Sequence, residues 1–475
     1  MVIISSTKLF FEAETFAIIG ASSDKSKLGW HIVNNFLKYY NGEFFLINPK
    51  GGNIEGHPIH KSILDINGTI DSAVIAIPAK YVPTALSDCV KKGVKSVIIE
   101  SGGFAEVSEE GEKMQDELLE IIKGTNTRII GPNCIGVYSP SFGIDTIFIP
   151  RSRVPRPKAG NVAFMTQSGA LGSAILDSFT IIGDGRWISR FASYGNACDV
   201  NESDLLRYFG TDPLTEIVLA HLEGFKRGEE FLTLCKEISR KKPIIVLKSG
   251  RTALGSKASS SHSASIACDD AVVDDLLKQH GAIRVDNYQD LLNVAKVFLT
   301  QNIPNGDKVG IVTDGGGFAV IGSDSIDHEN LNLAKLSNKT LEKFNDVYPS
   351  WYICSNPLDL TGTVTAEEFI LGIKSMYFDE NVDILVPIII PSAPNFDVRK
   401  FSDLFSEFIT EVKHGGKKPD KPILTVSLGG SDSQILNAKF DKLDIPHFST
   451  PEEVFRIIRY VVNYHDFLSM QETVI

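Results

Sequence analysis

The sequence predicts an α/β protein built from three doubly wound domains, spanning residues 1–150, 151–300 and 301–475. Two observations carry this. From residue 16 to residue 150, short apolar runs alternate with amphipathic segments, the pattern of parallel strands joined by crossover helices. The rest of the chain repeats itself once, motif for motif. Length agrees, since 475 residues make about three domains of common size.

Composition narrows the class. The chain is 43% hydrophobic and 22% charged, with net charge −12. Such an acidic balance argues against nucleic acid as the main partner. The six cysteines are scattered without a CxxC pair, which fits free thiols in a reducing compartment better than disulfides or zinc, and no metal site is expected. The N-terminus lacks a basic region leading into an apolar core, and no stretch reaches the roughly 18 apolar residues of a spanning helix. A cytoplasmic protein with no membrane partner is the expectation.

In the first domain the strands are expected at Phe16–Ile19, Phe44–Ile47, Ser72–Ile77, Ser96–Ile99 and Arg128–Ile130, a Rossmann-like arrangement. The first ends in Gly20-Ala21-Ser22-Ser23, where backbone amides meet a phosphate as a helix begins near Leu28-Gly29-Trp30. The turn lacks a full GxGxxG, and the second strand ends in Asn48-Pro49-Lys50 rather than in the acid that grips a nicotinamide ribose. A cation at Lys50 suits a phosphate instead, such as the ribose phosphate of coenzyme A. Pro78, Glu100 and Asn133 close the later strands, and these carboxyl ends form the crevice in which an open sheet binds its ligand.

Residues 150–160 (PRSRVPRPKAG) read as a linker. The second domain opens with strand Val162–Met165, then Thr166-Gln167-Ser168-Gly169-Ala170, then an apolar helix from Leu171 to Phe179. Ser168 and Gly169 place free amides and a hydroxyl at a helix N-terminus, an anion site that needs no charged side chain; a plain serine cap is the plainer reading.

The repeat is read from VAFMTQSGALGSAILD at Val162 against VGIVTDGGGFAVIGSD at Val309. NACDV at Asn196 answers NPLDL at Asn356, Ile217–Ala220 answers Ile384–Pro387, and Lys242–Val246 answers Lys421–Thr425. Two related flavodoxin-like domains follow. The copies differ in chemistry. After its last-named strand the first carries a long Ser/Ala/Gly stretch holding His262, and at the end of the preceding strand it has Glu223 where the second has Ile390. A stretch that buries so little is expected to be a surface loop. An imidazole on it can take and pass on a phosphoryl group, with a carboxylate orienting the ring by accepting from one nitrogen. An incidental histidine in a serine-rich linker and a surface glutamate are the alternatives. Asp314 puts an acid beside the helix start of the second copy, so no phosphate site is assigned there.

GASSDKSKLG, INPKGG, ESGGFAE, GPNCIG, TQSGALG, SSHSASIA and NPLDLTG, in this order over nearly the whole chain, resemble the NDP-forming acyl-CoA synthetases. The likeness is to the α chain of the ADP-forming acetyl-CoA enzymes and, more distantly, to the α chain of succinyl-CoA synthetase. The resemblance implies that His262 becomes phosphohistidine, that Glu223 steadies it, and that Gln167, Ser168 and Gly169 hold the phosphoryl group. Gly20, Ser22, Lys50, Pro78, Glu100 and Asn133 match the CoA pocket. The implied reaction is acyl-CoA + ADP + phosphate to acid + ATP + CoA, through an acyl phosphate.

No GxxxxGK[ST] loop is present, and the family's nucleotide-grasp domains have no counterpart in this sequence. The resemblance therefore places Mg²⁺ and ADP/ATP on a separate β subunit, in an α2β2-type hetero-oligomer. The chain departs from the family's usual His-Thr-Gly after the carrier, reading His262-Ser263-Ala264. Two rivals stay open: a non-catalytic CoA-binding regulatory subunit, and a dinucleotide oxidoreductase.

Overall fold

The computed structural model describes residues 2–472 except 183, 184, 256, 258–268, 414 and 417. Two compact units make up the chain, Met1–Asp286 and Asn287–Ile475.

The first unit holds two sheets. Its N-terminal sheet comprises β1 (Thr15–Ile19), β2 (Glu43–Ile47), β3 (Gly52–Ile54), β4 (His57–His60), β5 (Ser72–Ile75), β6 (Ser96–Ile99) and β7 (Arg128–Ile130), in the order β3-β4-β2-β1-β5-β6-β7. All pairs are parallel except β3 with β4. Helices α1 (Val2–Glu12), α2 (Leu28–Tyr39), α3 (Val82–Lys92) and α4 (Glu109–Ile122) belong to this half. Every residue of β5 and β6 is buried, as expected for parallel strands covered on both faces. The chain runs from β1 to β2 on one side and returns to β5 on the other, so the switch point lies between β1 and β5.

The second sheet comprises β8 (Gly136–Ser139), β9 (Ile144–Asp145), β10 (Lys158–Thr166), β11 (Arg186–Ser193), β12 (Ile217–Leu222), β13 (Ile244–Lys248) and β14 (Ala282–Val285), in the order β14-β13-β12-β10-β11-β8-β9. It carries α5 (Gly169–Ile181), α6 (Glu202–Thr211) and α7 (Gly228–Ile238). Its parallel strands follow the doubly wound order 2-1-3-4-5, with the switch point between β10 and β12. The two sheets share one core. Phe11 of α1 stacks on Tyr208 of α6 with ring centroids 5.2 Å apart, and buried Arg190 bonds Glu12 at 3.1 Å and the Tyr208 hydroxyl at 3.0 Å.

Two sequence expectations change at this junction. Residues 136–145, assigned to the first domain, pair with the second sheet through β8 and β11. The stretch from Pro150 to Gly160 is also no loose linker. Arg151 and Arg156 both pair with Asp145, at 2.8 and 3.2 Å, and Asp145 and Arg156 are fully buried. A buried ion pair has to be held in place to offset its desolvation, and it pins this connection to the sheet edge.

The second unit is a six-stranded sheet: β15 (Lys308–Thr313), β16 (Asn332–Leu333), β17 (Leu358–Asp359), β18 (Ile384–Ile389), β19 (Thr425–Ser427) and β20 (His447–Phe448), ordered β16-β15-β18-β19-β20 with β17 beside β15. The unit begins with helix Tyr288–Thr300, which the sequence placed in the preceding domain; it packs on the terminal helix Pro451–Glu472 through Asp290, whose carboxylate takes two bonds from Arg456 at 2.9 and 3.0 Å. The doubly wound order is again 2-1-3-4-5. The repeat holds in register as well as in order. Val162 pairs with Ile217 as Val309 pairs with Ile384, and Val218 pairs with Ile244 as Leu385 bridges Ile423.

Candidate active site

A cleft of about 980 Å³ opens where the carboxyl ends of β1, β2, β5 and β6 face the start of α5. Gly20, Ser22, Lys50, Pro78, Glu100 and Asn133 line it from the first sheet, and Gln167, Ser168 and Gly169 from the second.

The turn after β1 admits only glycine at two points. Gly20 has φ +103°, and a Cβ there would lie 2.4 Å from the Ala76 carbonyl oxygen; a Cβ on Gly29 would lie 2.0 Å from that of Gly20. This close packing sets α2 with its first turn at the cleft. Its N-cap, Lys27, makes no side-chain cap; Lys27 O takes the Trp30 N–H at 3.1 Å, which leaves the Leu28 and Gly29 amides to meet an anion. Ser22 accepts the Asp24 N–H at 3.1 Å. Asn48 donates to Ala21 O at 2.9 Å and accepts the Lys50 N–H at 3.0 Å, fixing the loop that holds the exposed Lys50.

Glu100 is 6% exposed, and neither carboxylate oxygen forms a well-aligned hydrogen bond among the described residues, although the Thr146 hydroxyl stands close by. Burial above all, with the charge of Asp145 adding to it, raises its carboxyl well above the ordinary range against the opposing pull of the Thr146 hydroxyl. Beside it the buried Cys134 thiol is likewise raised well above its usual value, by burial first and Glu100 second, which suppresses the thiolate. Asn133 adopts φ 57°; its N–H donates to Ser101 O at 2.9 Å and its amide to Asn196 Oδ1 at 3.3 Å.

Across the cleft, Ser168 caps α5 by accepting the Leu171 N–H at 3.3 Å. The amides of Gly169 and Ala170 open the helix with no intrahelical acceptor. Gln167 accepts the N–H groups of Glu223 and Gly224, the latter at 3.1 Å. Glu223, at the end of β12, is thereby tied to the Gln167-Ser168-Gly169 turn without lining the cleft itself. Its carbonyl accepts from Lys248 Nζ at 2.9 Å. His262 lies outside the described residues.

Sequence reading overlooked the residues that hold the two sheets' loops together. Glu106 accepts the Gly103 N–H and the Asn196 amide, both at 2.6 Å, and Asn196 also donates to Gln115 at 3.0 Å. Nothing local in sequence marks such a crossing. Lys248, at the end of β13, brings a cation to the Glu223 backbone.

Comparison with known proteins settles the family. Over 446 residues the chain is 34% identical to the α subunit of ADP-forming acetate–CoA ligase II from Pyrococcus furiosus, covering 94% of this chain and 95% of that one. The chain belongs to the ADP-forming acyl-CoA ligases. Within this ligase, residues 14–140 match the CoA binding domain family and residues 159–298 the succinyl-CoA ligase like flavodoxin domain family. A second ligase relative, the ADP-forming acetate–CoA ligase of Methanocaldococcus jannaschii, is 37% identical over 95% of this chain, which spans 62% of that protein. In structure the ligase superposes on the dinucleotide forming acetyl-coenzyme A synthetase 1 of Ca. Korarchaeum cryptofilum, in complex with phosphate and ADP, with TM-score 0.89, 28% identity and 98% coverage of each chain.

Proposed function

We propose that this ligase chain is the α subunit of an ADP-forming acyl-CoA synthetase, catalysing acyl-CoA + ADP + phosphate to acid + ATP + CoA in the cytoplasm. The observation that carries the reading is that the expected coenzyme residues and the expected phosphate residues line one cleft, Glu100 and Asn133 from one sheet facing Ser168 and Gly169 from the other. A thioester and a phosphate bound at these two sets would meet.

In the first step phosphate oxygen attacks the thioester carbonyl, the C–S bond breaks, and CoA leaves as a thiolate that takes up a proton. The amides at the start of α5 would hold the phosphate charge, without the reorganisation that water would require. His262 then attacks the phosphorus of the acyl phosphate through its unprotonated ring nitrogen; the P–O bond to the acyl group breaks and the carboxylate departs. Glu223 accepts the other ring N–H and stabilises the charge that develops. ADP finally takes the phosphoryl group from phosphohistidine at a site that, with Mg²⁺, belongs to a separate β subunit. The name of the Pyrococcus furiosus relative, an α subunit, supports that division, and an α2β2 assembly is the form we propose.

Mass spectrometry tests this. The chain is incubated with acetyl-CoA and phosphate, with and without its β subunit, and held at alkaline pH because phosphohistidine is acid-labile. A phosphoryl group on His262, absent in His262→Ala, is the expected result. If His262→Asn leaves turnover with the β subunit intact, the carrier assignment fails and a regulatory, CoA-binding subunit takes its place.

A further inference from the structure

His221 takes part in none of these steps, yet it stands between two of the elements they use. It lies in β12 among Ile217, Val218, Leu219, Ala220 and Leu222, and is 2% exposed. Both ring nitrogens are engaged. Nδ1 lies 3.1 Å from Thr166 Oγ1 and Nε2 lies 2.7 Å from Ser249 Oγ. Thr166 Oγ1 accepts the Ser168 N–H at 3.0 Å and lies 3.1 Å from Ser168 O, so it shapes the turn that opens α5. Ser249 is the first residue past β13 and is anchored by its N–H to Leu222 O at 2.9 Å; from there the chain runs on in sequence to His262.

A histidine at this point of an apolar strand buries a polar ring where an aliphatic side chain would cost nothing, and burial is tolerated only because both nitrogens find partners. Those partners are the two places a phosphoryl carrier depends on: the turn that meets the phosphoryl group and the exit of the carrier segment from the sheet. Burial first, and the nearby Lys248 charge second, lower its pKa to about 4, so the ring is neutral at physiological pH. With the Thr166 hydroxyl donating to Ser168 O, a neutral ring protonated on Nδ1 donates to Thr166 Oγ1 and accepts from Ser249 Oγ, so both nitrogens are satisfied.

We propose that His221 is a positioning residue of the phosphoryl-transfer site, fixing the Ser168 turn through Thr166 and the root of the His262 segment through Ser249. The second half of the proposal rests on His262 being the carrier; the first half does not.

The two bonds can be cut one at a time. An asparagine amide reaches the Nδ1 position and a glutamine amide the Nε2 position, so His221→Asn keeps the link to Thr166 and His221→Gln the link to Ser249. Inorganic phosphate affinity, by titration calorimetry on the full chain, and the rate of His262 phosphorylation from acetyl-CoA and phosphate are measured for both and for His221→Leu. His221→Asn should bind phosphate within about twofold of wild type, whereas His221→Gln and His221→Leu should bind it about tenfold more weakly, the scale of one lost hydrogen bond in a buried site. His221→Asn should instead slow His262 phosphorylation at saturating phosphate. Wild-type phosphate affinity in His221→Gln and His221→Leu, or equal weakening in all three in step with a lowered thermal midpoint, overturns the inference and leaves His221 a packing residue. Should His262 stay unlabelled in wild type while His221→Gln alone of the two amide variants weakens phosphate binding, the carrier reading falls and the role at the Ser168 turn stands.

Discussion

Asp314 accepts the main-chain N–H of Ile390 at 2.9 Å. In the first copy of the repeat Gln167 does the same for Glu223 and Gly224. In each case the side chain just past the first strand ties down the chain as it leaves the third, across the switch point. The tie is common to both copies and the charge is not. A neutral amide leaves the helix start of α5 free for an anion, whereas the carboxyl of Asp314 already stands at the corresponding turn. Its Oδ2 has no partner among the described residues, and burial, with the charge of Asp359 adding to it, raises it to about 7.

The Asp314 carboxyl gives the second unit a pH-dependent stability. Folded, it titrates near 7; unfolded, near 3.8. Between these values the native state holds the extra proton, so stability is lost as pH rises through the window, by up to about 4 kcal/mol. Asp314→Asn keeps the acceptor for Ile390 and removes the titration. Thermal melts from pH 5 to 8 should fall less steeply for the variant; parallel curves would show that Asp314 is ionised throughout.

Two glycines at helix starts should respond oppositely to alanine. A Cβ on Gly29 meets the Gly20 carbonyl oxygen at 2.0 Å, backbone against backbone, while nothing lies within 4 Å of one on Gly317. Gly29→Ala should destabilise by about 2–3 kcal/mol through forced displacement of the turn. Gly317→Ala should stabilise by up to about 1 kcal/mol, through helix propensity and a less flexible unfolded chain. Urea unfolding of each variant decides; a Gly29→Ala protein as stable as wild type would mean the turn after β1 yields easily.

Much of the fold was legible because parallel strands covered on both faces read as continuous apolar runs, as at β1, β2, β5, β6 and β7. β11 escaped notice. Its RWISRFAS carries two arginines and two serines, a poor apolar run, and Arg190 is buried only because Glu12, Tyr208 and Asp212 from distant segments receive it. The cleft's turns were legible for a related reason: Gly20, Ser168 and Gly169 are residue types that strand-to-helix turns demand. His221 was not. A single histidine in an apolar strand carries no signal until the fold brings Thr166 and Ser249 to its two nitrogens.

Arg156 bears on how the two sheets are joined. It and Asp145 are fully buried, and Arg156 also donates to Ile149 O at 2.8 Å. Arg156→Ala would leave Asp145 with only the partly exposed Arg151 as a charged partner, and loss of one member of a buried pair costs about 3–5 kcal/mol. The double variant Arg156→Met with Asp145→Asn removes both charges and should recover part of that loss. A melt in which Arg156→Ala alone is neutral would show that water reaches the pair.

Lys50 offers the cleanest test of which ligand the first sheet takes. Its loop is set by Asn48, but the ammonium itself is exposed, so any attraction it exerts is weak and screened by salt. If it faces the ribose phosphate of CoA, Lys50→Ala should weaken CoA binding about three- to tenfold at low ionic strength, the scale of an exposed ion pair with a doubly charged group. Dephospho-CoA, which lacks that phosphate, should bind wild type and variant alike, and the difference for CoA should shrink as salt is added. Lys27 lines the same cleft and serves as the control: Lys27→Ala should not reproduce this selectivity if Lys50 alone reads the ribose phosphate. Equal losses for CoA and dephospho-CoA in Lys50→Ala would place the cation elsewhere along the coenzyme, nearer its pyrophosphate.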